Sequence, residues 1–165
     1  MFSTQHGILF IIEDNPVKII ISISDQKLFF KHRKVELTYP VSTSKYGEGF
    51  EEGSMKTPLG MHEVCQKIGG RAPFGAIFKD RKFTGKIANI NVAKEKDIIT
   101  SRILRLNGLQ KKNSNTRNRY IYIHGTNDEK SIGKKGSIGC IRMKNQDIID
   151  LFGFVKKGCK VYLHK

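Results

Sequence analysis

Alternating apolar and polar residues fill the first quarter of the chain and predict a sheet. Isoleucine occupies every second position in Lys18–Ser24, Lys27–Lys31 follows after a short turn, and Val35–Val41 alternates again. Successive side chains of a β-strand point to opposite faces, so each segment predicts a half-buried strand. Pro40 lacks the N–H that a strand ladder needs, which favours an edge position for the third strand. We therefore expect an antiparallel meander here.

The rest of the chain repeats this alternation and adds one helical pattern. The further predicted strands are Met61–Cys65, Asp97–Leu106, Arg119–His124 and Lys160–His164, and the predicted helix is Asn145–Phe152. Asn145 is a residue type that caps helices, and Gly153 marks the end of this one. The pattern predicts one mainly β domain over residues 1–165, with one or two short helices and long glycine-rich loops.

Two polar stretches carry weak periodicity and are interpreted as loops. Eight of the 16 glycines lie between Gly47 and Gly85, so Met61–Cys65 is the only strand expected within that stretch. Long glycine-rich connections are often functional, and Gln66–Gly85 could be either a lid or a plain surface loop. The basic segment Lys111–Asn118 is expected to be a mobile loop.

Length and composition place the chain among globular proteins of one domain. It has 165 residues, of which 38% are hydrophobic. Its apolar runs, such as Ile8–Ile12, fall far short of the roughly 18 residues of a membrane span, so no transmembrane segment is expected. No Lys or Arg precedes Gly7, and Glu13 and Asp14 end the first apolar run, so we expect no secretory signal.

The three cysteines are Cys65, Cys140 and Cys159, an odd number without a C-x-x-C spacing. This pattern disfavours both a disulfide framework and a zinc ribbon, and no metal or organic cofactor is expected. At least one thiol should be free.

The chain is strongly basic, with 30 Lys and Arg against 15 Asp and Glu and a formal charge of +15. The positive charge is scattered along the chain, and most of it comes from lysine. Readers of nucleic acid depend on the planar fork of arginine, so we expect no nucleic-acid partner. A solvated surface or an anionic envelope polymer accounts for the charge.

The segment Ile123–Met143 contains a set of residues suited to nucleophilic chemistry. His124 ends a strand, and a loop with four glycines leads to Cys140. A nearby imidazole can activate a thiol, whose pKa then falls from about 8.5 to about 3.5–7.5. On spacing alone, Cys140 could equally be a small buried apolar residue and His124 a strand-end histidine.

Residues beside Cys140 strengthen the catalytic interpretation. Gly139 allows the backbone to approach a substrate closely, so N–H groups here could bind an oxyanion. Continued alternation places Cys140 and Arg142 on one face, where the guanidinium could favour the thiolate and bind a substrate carboxylate. The alternative is that Arg142 only braces the loop against the helix through Asp147 or Asp150.

The sequence HGTN at His124–Asn127, followed by SIGCIRM at Ser137–Met143, resembles the signature of the L,D-transpeptidase (YkuD-like) catalytic domain. The segments VSTSKYGEG at Val41–Gly49 and TPLG at Thr57–Gly60 are also similar to that family. The resemblance covers roughly residues 17–165. Ile138 stands where the commonest form of the motif has histidine.

The resemblance implies a β-sandwich or barrel with a cysteine active site. In that reading Cys140 is the acylated nucleophile, His124 its base, and Gly139 part of the oxyanion site. Arg142 would contact a substrate carboxylate, with Gly125 also among the substrate-binding residues. The remaining motif residue, Ser137, would support the histidine or simply form a turn.

The function implied by the resemblance is acyl transfer on peptidoglycan stem peptides, in cell-wall cross-linking or remodelling. With water as acceptor, the same site would be an L,D-carboxypeptidase. A non-catalytic module that binds envelope polymer is the alternative from another class, and a cysteine peptidase of unrelated fold is disfavoured because His precedes Cys in the chain. The family also implies a periplasmic or cell-envelope location and inhibition by carbapenems.

Overall fold

A computed structural model describes residues 16–92 and 97–165, together with the backbone of two short strands nearer the N-terminus. The strands are β1 Thr4–Gln5, β2 Ile8–Leu9, β3 Val17–Ser22, β4 Lys27–His32, β5 Val35–Pro40, β6 Gly60–Ile68, β7 Ala76–Lys79, β8 Lys82–Ile87, β9 Ile99–Gly108, β10 Tyr122–Thr126, β11 Ile141–Met143 and β12 Lys160–His164. One helix, α1, spans Asn145–Phe154, and 3-10 turns lie at Lys111–Asn113 and Glu129–Ser131. The mainly β prediction is confirmed.

The large sheet has the strand order β11-β10-β9-β6-β12-β3-β4-β5, while β1 pairs only with β2. The predicted meander is confirmed as antiparallel β3, β4 and β5, and Pro40 lies in the last strand of this path. After β5 the chain returns to the other edge of the sheet, where Ser42 and Arg142 exchange two backbone hydrogen bonds of 2.9 Å. The sheet is therefore curled, and β11 lies at its seam.

The two faces of β9 and β10 contribute to different apolar clusters. Leu104 and Ile123 belong to the main core, which also contains Leu151 of α1. On the opposite face, Ile103 and Tyr122 belong to a smaller cluster. Burying one such aliphatic side chain stabilises the fold by about 1.5–3 kcal/mol, so both clusters hold β9 and β10 in place.

Both ends of α1 are closed by side chains from outside the helix. Asn145 is the first helical residue, not the cap, and its backbone N–H donates to Glu129 Oε1 at 2.8 Å. Lys67 Nζ donates to the carbonyls of Phe152 and Val155 at 2.7 and 2.5 Å, and lies 4.1 Å from the centre of the Phe152 ring. A carboxylate at the N-terminus and an ammonium at the C-terminus also complement the helix dipole.

The expectation of a single strand between Gly47 and Gly85 was wrong. β6 continues to Ile68, and β7 and β8 form a hairpin that also pairs with β9. Its turn residues Asp80 and Arg81 have φ values of 49° and 64°, the left-handed conformation that tight hairpins require. Phe78 anchors the hairpin in the smaller cluster. Asp-Arg is an uncommon pair for such a turn, so the hairpin was hard to predict from the residue types.

The basic segment after β9 is held against the sheet, contrary to the expectation of a mobile loop. Asn113 and Thr116 are fully buried. Asn113 Nδ2 donates to the carbonyls of Leu59 and Met61 at 3.0 Å. These bonds fix the path by which the chain enters β10.

Within the part of the chain that the structure describes, no helix is both long and apolar enough to cross a membrane.

A fully buried histidine links β6 to this segment. His62 Nδ1 donates to the Gly60 carbonyl at 3.0 Å, and Nε2 lies 3.1 Å from Thr116 Oγ1. Burial lowers the pKa of His62 to about 4. The unfolded chain, with the ordinary histidine pKa of about 6.5, therefore binds a proton at pH values where the folded protein does not.

We predict that His62 makes the fold sensitive to acid. Stability should fall as the pH drops from 6.5 towards 4, by about 3 kcal/mol from this residue. His62→Gln removes the titration, so its stability should change less over the same range. Urea unfolding of both proteins between pH 7 and 4 measures the difference, and parallel pH curves would contradict the assignment.

Candidate active site

The parallel pairing of β10 with β11 places polar or reactive side chains of both strands on one face of the sheet. They are Tyr122, His124, Cys140 and Arg142. His124 lies opposite Arg142 in the register, so Cys140, just before β11, falls opposite Tyr122. Side chains two positions apart share a face. His124 and Cys140 are therefore diagonal neighbours on one face of two adjacent strands.

His124 has the protonation pattern of a general base. It is 3% exposed, and its Nδ1 donates to the Gly125 carbonyl at 2.6 Å. With the proton on Nδ1, the neutral ring carries a lone pair on Nε2. Burial lowers the pKa of His124, with Arg142 acting in the same direction and Asp97 opposing it. The imidazole is thus neutral at physiological pH and able to accept a proton.

The Cys140 side chain is half-buried, and the pKa of its thiol is raised, contrary to the expectation of a low value. The residue packs against the smaller apolar cluster. Its Sγ donates to the Tyr120 carbonyl at 3.3 Å and accepts from the Tyr122 N–H at 3.4 Å. Burial raises the pKa of Cys140 to about 11; Asp97 also raises it, while the Tyr122 N–H and Arg119 act the other way. The resting group is a thiol.

Ser137 and Gly139 shape the turn that presents Cys140. Ser137 Oγ donates to the Cys140 carbonyl at 2.6 Å and accepts from the Gly139 N–H at 3.3 Å. The hydroxyl therefore braces the turn and does not support the imidazole, whose Nδ1 bonds to Gly125. Gly139 has a φ of +130°, which a residue with a side chain rarely adopts. Its predicted part in binding an oxyanion would require the N–H to leave Ser137.

The TPLG and VSTSKYGEG segments hold this turn from the other side. Thr57 is fully buried; its Oγ1 donates to the Gly139 carbonyl at 3.0 Å and accepts from the Ser44 N–H at 3.0 Å. Lys45 N–H donates to the Ser137 carbonyl at 2.9 Å. Motif segments far apart in sequence thus meet at the turn that ends in Cys140.

Gly125, predicted to bind substrate, is placed where the sheet packs tightly. A Cβ here would lie 2.5 Å from the Thr100 carbonyl oxygen and 3.0 Å from Asn145 Oδ1. The structure therefore gives this glycine a packing role beside the histidine. Its carbonyl is the acceptor that orients the imidazole.

Asn145 is a buried hub that the sequence did not reveal as part of the site. Its Oδ1 accepts from the hydroxyls of Thr100 and Ser101 at 2.6 Å, and its Nδ2 donates to the Thr126 carbonyl and Glu129 Oε1 at 2.8 Å. Every hydrogen-bonding site of the amide is used, which ties β9, β10 and α1 together beneath His124. The only sequence signal was its helix-capping residue type.

Arg142 is buried, and its charge is already paired. Nη1 lies 3.2 Å from Asp97 Oδ2, and Nη2 donates to Ser131 Oγ at 3.2 Å, with the side chain only 4% exposed. The groups that brace Arg142 are Asp97 and Ser131, whereas the alternative structural role named Asp147 or Asp150. A substrate carboxylate at this guanidinium, as predicted from the sequence, would have to compete with Asp97.

Ile138 lies within the turn that ends in Cys140, between Ser137 and Gly139, and is 63% exposed. No cluster of three or more His, Cys, Asp or Glu side chains suited to a metal ion occurs among the residues that the structure describes.

Comparisons with known proteins agree on one family. Residues 16–163 match the family model described as the L,D-transpeptidase catalytic domain, YkuD. The Bacillus subtilis (strain 168) protein named YkuD is 51% identical over 43 residues, which cover 26% of each chain.

Solved structures share the fold. L,D-transpeptidase 3 from Mycobacterium tuberculosis, in complex with a faropenem-derived adduct, has a TM-score of 0.56 at 16% identity, over 89% of this chain and 59% of that one. An L,D-transpeptidase from Mycobacterium smegmatis has a TM-score of 0.57 at 15% identity, over 98% and 65%. This chain therefore spans about 60% of the length of these two proteins.

We predict that Asp97 stabilises the fold by neutralising Arg142. Removing one partner of a buried ion pair costs about 3–5 kcal/mol. Because the Asp97 side chain is 37% exposed, solvent screens part of this, and we expect Asp97→Ala to lose about 2 kcal/mol. Adding Arg142→Met should recover part of the loss, since no buried cation then remains. Urea unfolding measures this cycle, and strictly additive losses would contradict the pairing.

Proposed function

Because the chain belongs to the L,D-transpeptidase catalytic domain family, we propose that it is an acyltransferase with Cys140 as nucleophile and His124 as base. The observation that supports the proposal is the shared face of β10 and β11, which carries both Cys140 and a neutral imidazole whose Nδ1 is engaged by Gly125, so that the lone pair is on Nε2. The substrates are peptidoglycan stem peptides, and the place of action is the cell envelope.

The first half of the reaction forms a thioester. As Sγ attacks the carbonyl carbon of an amide beside a D-amino acid, His124 Nε2 takes the thiol proton. The tetrahedral intermediate then breaks its C–N bond, and the imidazolium gives the proton to the departing amine. The acyl group remains on Cys140, and the terminal residue leaves with a free amino group.

The second half transfers the acyl group. An amine of another stem attacks the thioester, its proton passes to His124, and the thiol is regenerated as the C–S bond breaks. Water in place of the amine gives an L,D-carboxypeptidase. Mass spectrometry of products from purified stem peptides distinguishes cross-linked from trimmed peptides, and the absence of both would favour the binding module.

We predict that Cys140→Ala abolishes acylation while the protein stays folded. Incubation with faropenem or a carbapenem, followed by intact-mass measurement, should show one adduct on the wild type and none on the variant. Cys65→Ala and Cys159→Ala are the controls and should both be acylated. An adduct on Cys140→Ala would contradict the assignment.

We predict a pH profile set by the imidazole. Below pH 6.5 the acylation rate should fall, because His124 becomes protonated and cannot accept the thiol proton. Between about pH 7 and 9 the rate should be flat, since the pKa of Cys140 is raised to about 11. His124→Gln should lower the plateau by about 100–10,000-fold, the usual contribution of a general base. A tenfold rise per pH unit between 7 and 9 in the wild type would show that a free thiolate is the nucleophile.

A further inference from the structure

Two arginines flank one tyrosine ring beside the nucleophile. The guanidinium carbons of Arg81 and Arg105 lie 5.1 and 5.4 Å from the centre of the Tyr120 ring. The ring is 53% exposed. Arg81 comes from the turn of the β7–β8 hairpin and Arg105 from β9, so two separate elements bring positive charge to this point.

This cationic cluster of Arg81, Arg105 and Tyr120 adjoins the thiol directly. The Tyr120 carbonyl accepts the hydrogen bond of Cys140 Sγ at 3.3 Å. Arg105 lies opposite Tyr122 in the register of β9 and β10, and Arg81 Nη1 donates to the Tyr122 hydroxyl at 3.2 Å. The cluster therefore lies next to Tyr122, the residue opposite Cys140 in the register of β10 and β11.

Neither guanidinium is neutralised within the described residues. Arg81 donates to a phenol, and Arg105 donates to Gln66 Oε1 and the Arg117 carbonyl at 3.5 and 3.1 Å. The four ion pairs in the described part of the chain involve other residues. Arg105 Nε is also buried without a hydrogen-bond partner. The guanidinium of Arg142 differs in lying beside a carboxylate: it pairs with Asp97 and donates to Ser131, although its Nε is also buried without a hydrogen-bond partner.

We propose that Arg81, assisted by Arg105, binds the terminal carboxylate of the donor peptide, an inference that rests on the proposed function. The leaving residue carries this carboxylate, and it lies one residue, about 3.8 Å between Cα atoms, beyond the carbonyl that Cys140 attacks. A guanidinium fork matches the planar carboxylate, and an anion here relieves the repulsion between two neighbouring cations. The site therefore selects peptide ends over internal amides.

The test compares a stem tetrapeptide that has a free terminal carboxylate with the same peptide amidated. A hydrogen bond to a charged group is worth roughly 10–150-fold, so amidation should lower the wild-type kcat/KM by that factor, mainly through KM. Arg81→Asn should lose a similar factor on the free peptide and no longer distinguish the two. Arg81→Lys keeps the charge without the fork and should fall between.

Arg33 provides a matched control, because it also occupies a hairpin turn with positive φ, 56° against 64° for Arg81. Arg33→Asn makes the same change of charge and should retain the wild-type preference. Tyr122→Phe removes the hydrogen bond to Arg81 but leaves the guanidinium, so it too should retain the preference. If Arg33→Asn loses the preference as Arg81→Asn does, the effect belongs to the net charge of the protein, and the assignment to Arg81 is wrong.

Intact-mass measurement of the faropenem adduct on every variant distinguishes a failure of the carboxylate assignment from a failure of the proposed acyltransferase function. Acylation of Cys140 with an unchanged peptide preference in Arg81→Asn overturns the carboxylate assignment alone. No adduct and no turnover of either peptide by the wild type overturns the proposed function and this inference with it.

Discussion

β10 and β11 are short neighbouring strands that run parallel, and their register of Ile123 with Ile141 determines which side chains share a face. Both isoleucines are fully buried in the main core, so a slip of one residue would expose them. The same register turns His124 and Cys140 to the opposite face together. The alignment of thiol and imidazole is thus fixed by the burial of apolar residues that take no part in chemistry.

Burial of that face determines the protonation states of the thiol and the imidazole. Burial favours the neutral forms of the thiol and the imidazole, and Asp97 balances the buried cation Arg142. In the proposed mechanism a proton moves from Cys140 to His124, and the carboxylate of Asp97 would stabilise the new imidazolium. Charges interact more strongly in such a medium than in water, so a few fixed groups suffice.

Periodicity predicted the strands of the meander, the faces of β10 and the last strand, because each buries one face in the main core. It missed the β7–β8 hairpin, whose second strand is exposed throughout and therefore shows no alternation. His62 was equally invisible, since its burial depends on Thr116 from a segment without periodicity.

The candidate site divides in the same way. Cys140, His124 and the turn glycines follow from a local motif, and their shared face follows from alternation. Asp97 and Asn145 do not, because their hydrogen-bond partners lie 16 to 45 residues away in the chain. Only the folded sheet brings these groups together.

The same limit explains why the excess of basic residues could not be interpreted from composition. Arg119 and Lys67 donate to backbone carbonyls, and Arg142 pairs with Asp97. By contrast, Arg81 and Arg105 form no ion pair with a carboxylate among the described residues. The sequence does not distinguish these roles. In the proposed complex the cationic cluster of Arg81, Arg105 and Tyr120 attracts a peptide carboxylate, while the negative charge of Asp97 repels it. The anionic end of the peptide is then held at this cluster, and the neutral carbonyl of the preceding residue is the group that can approach the thiol.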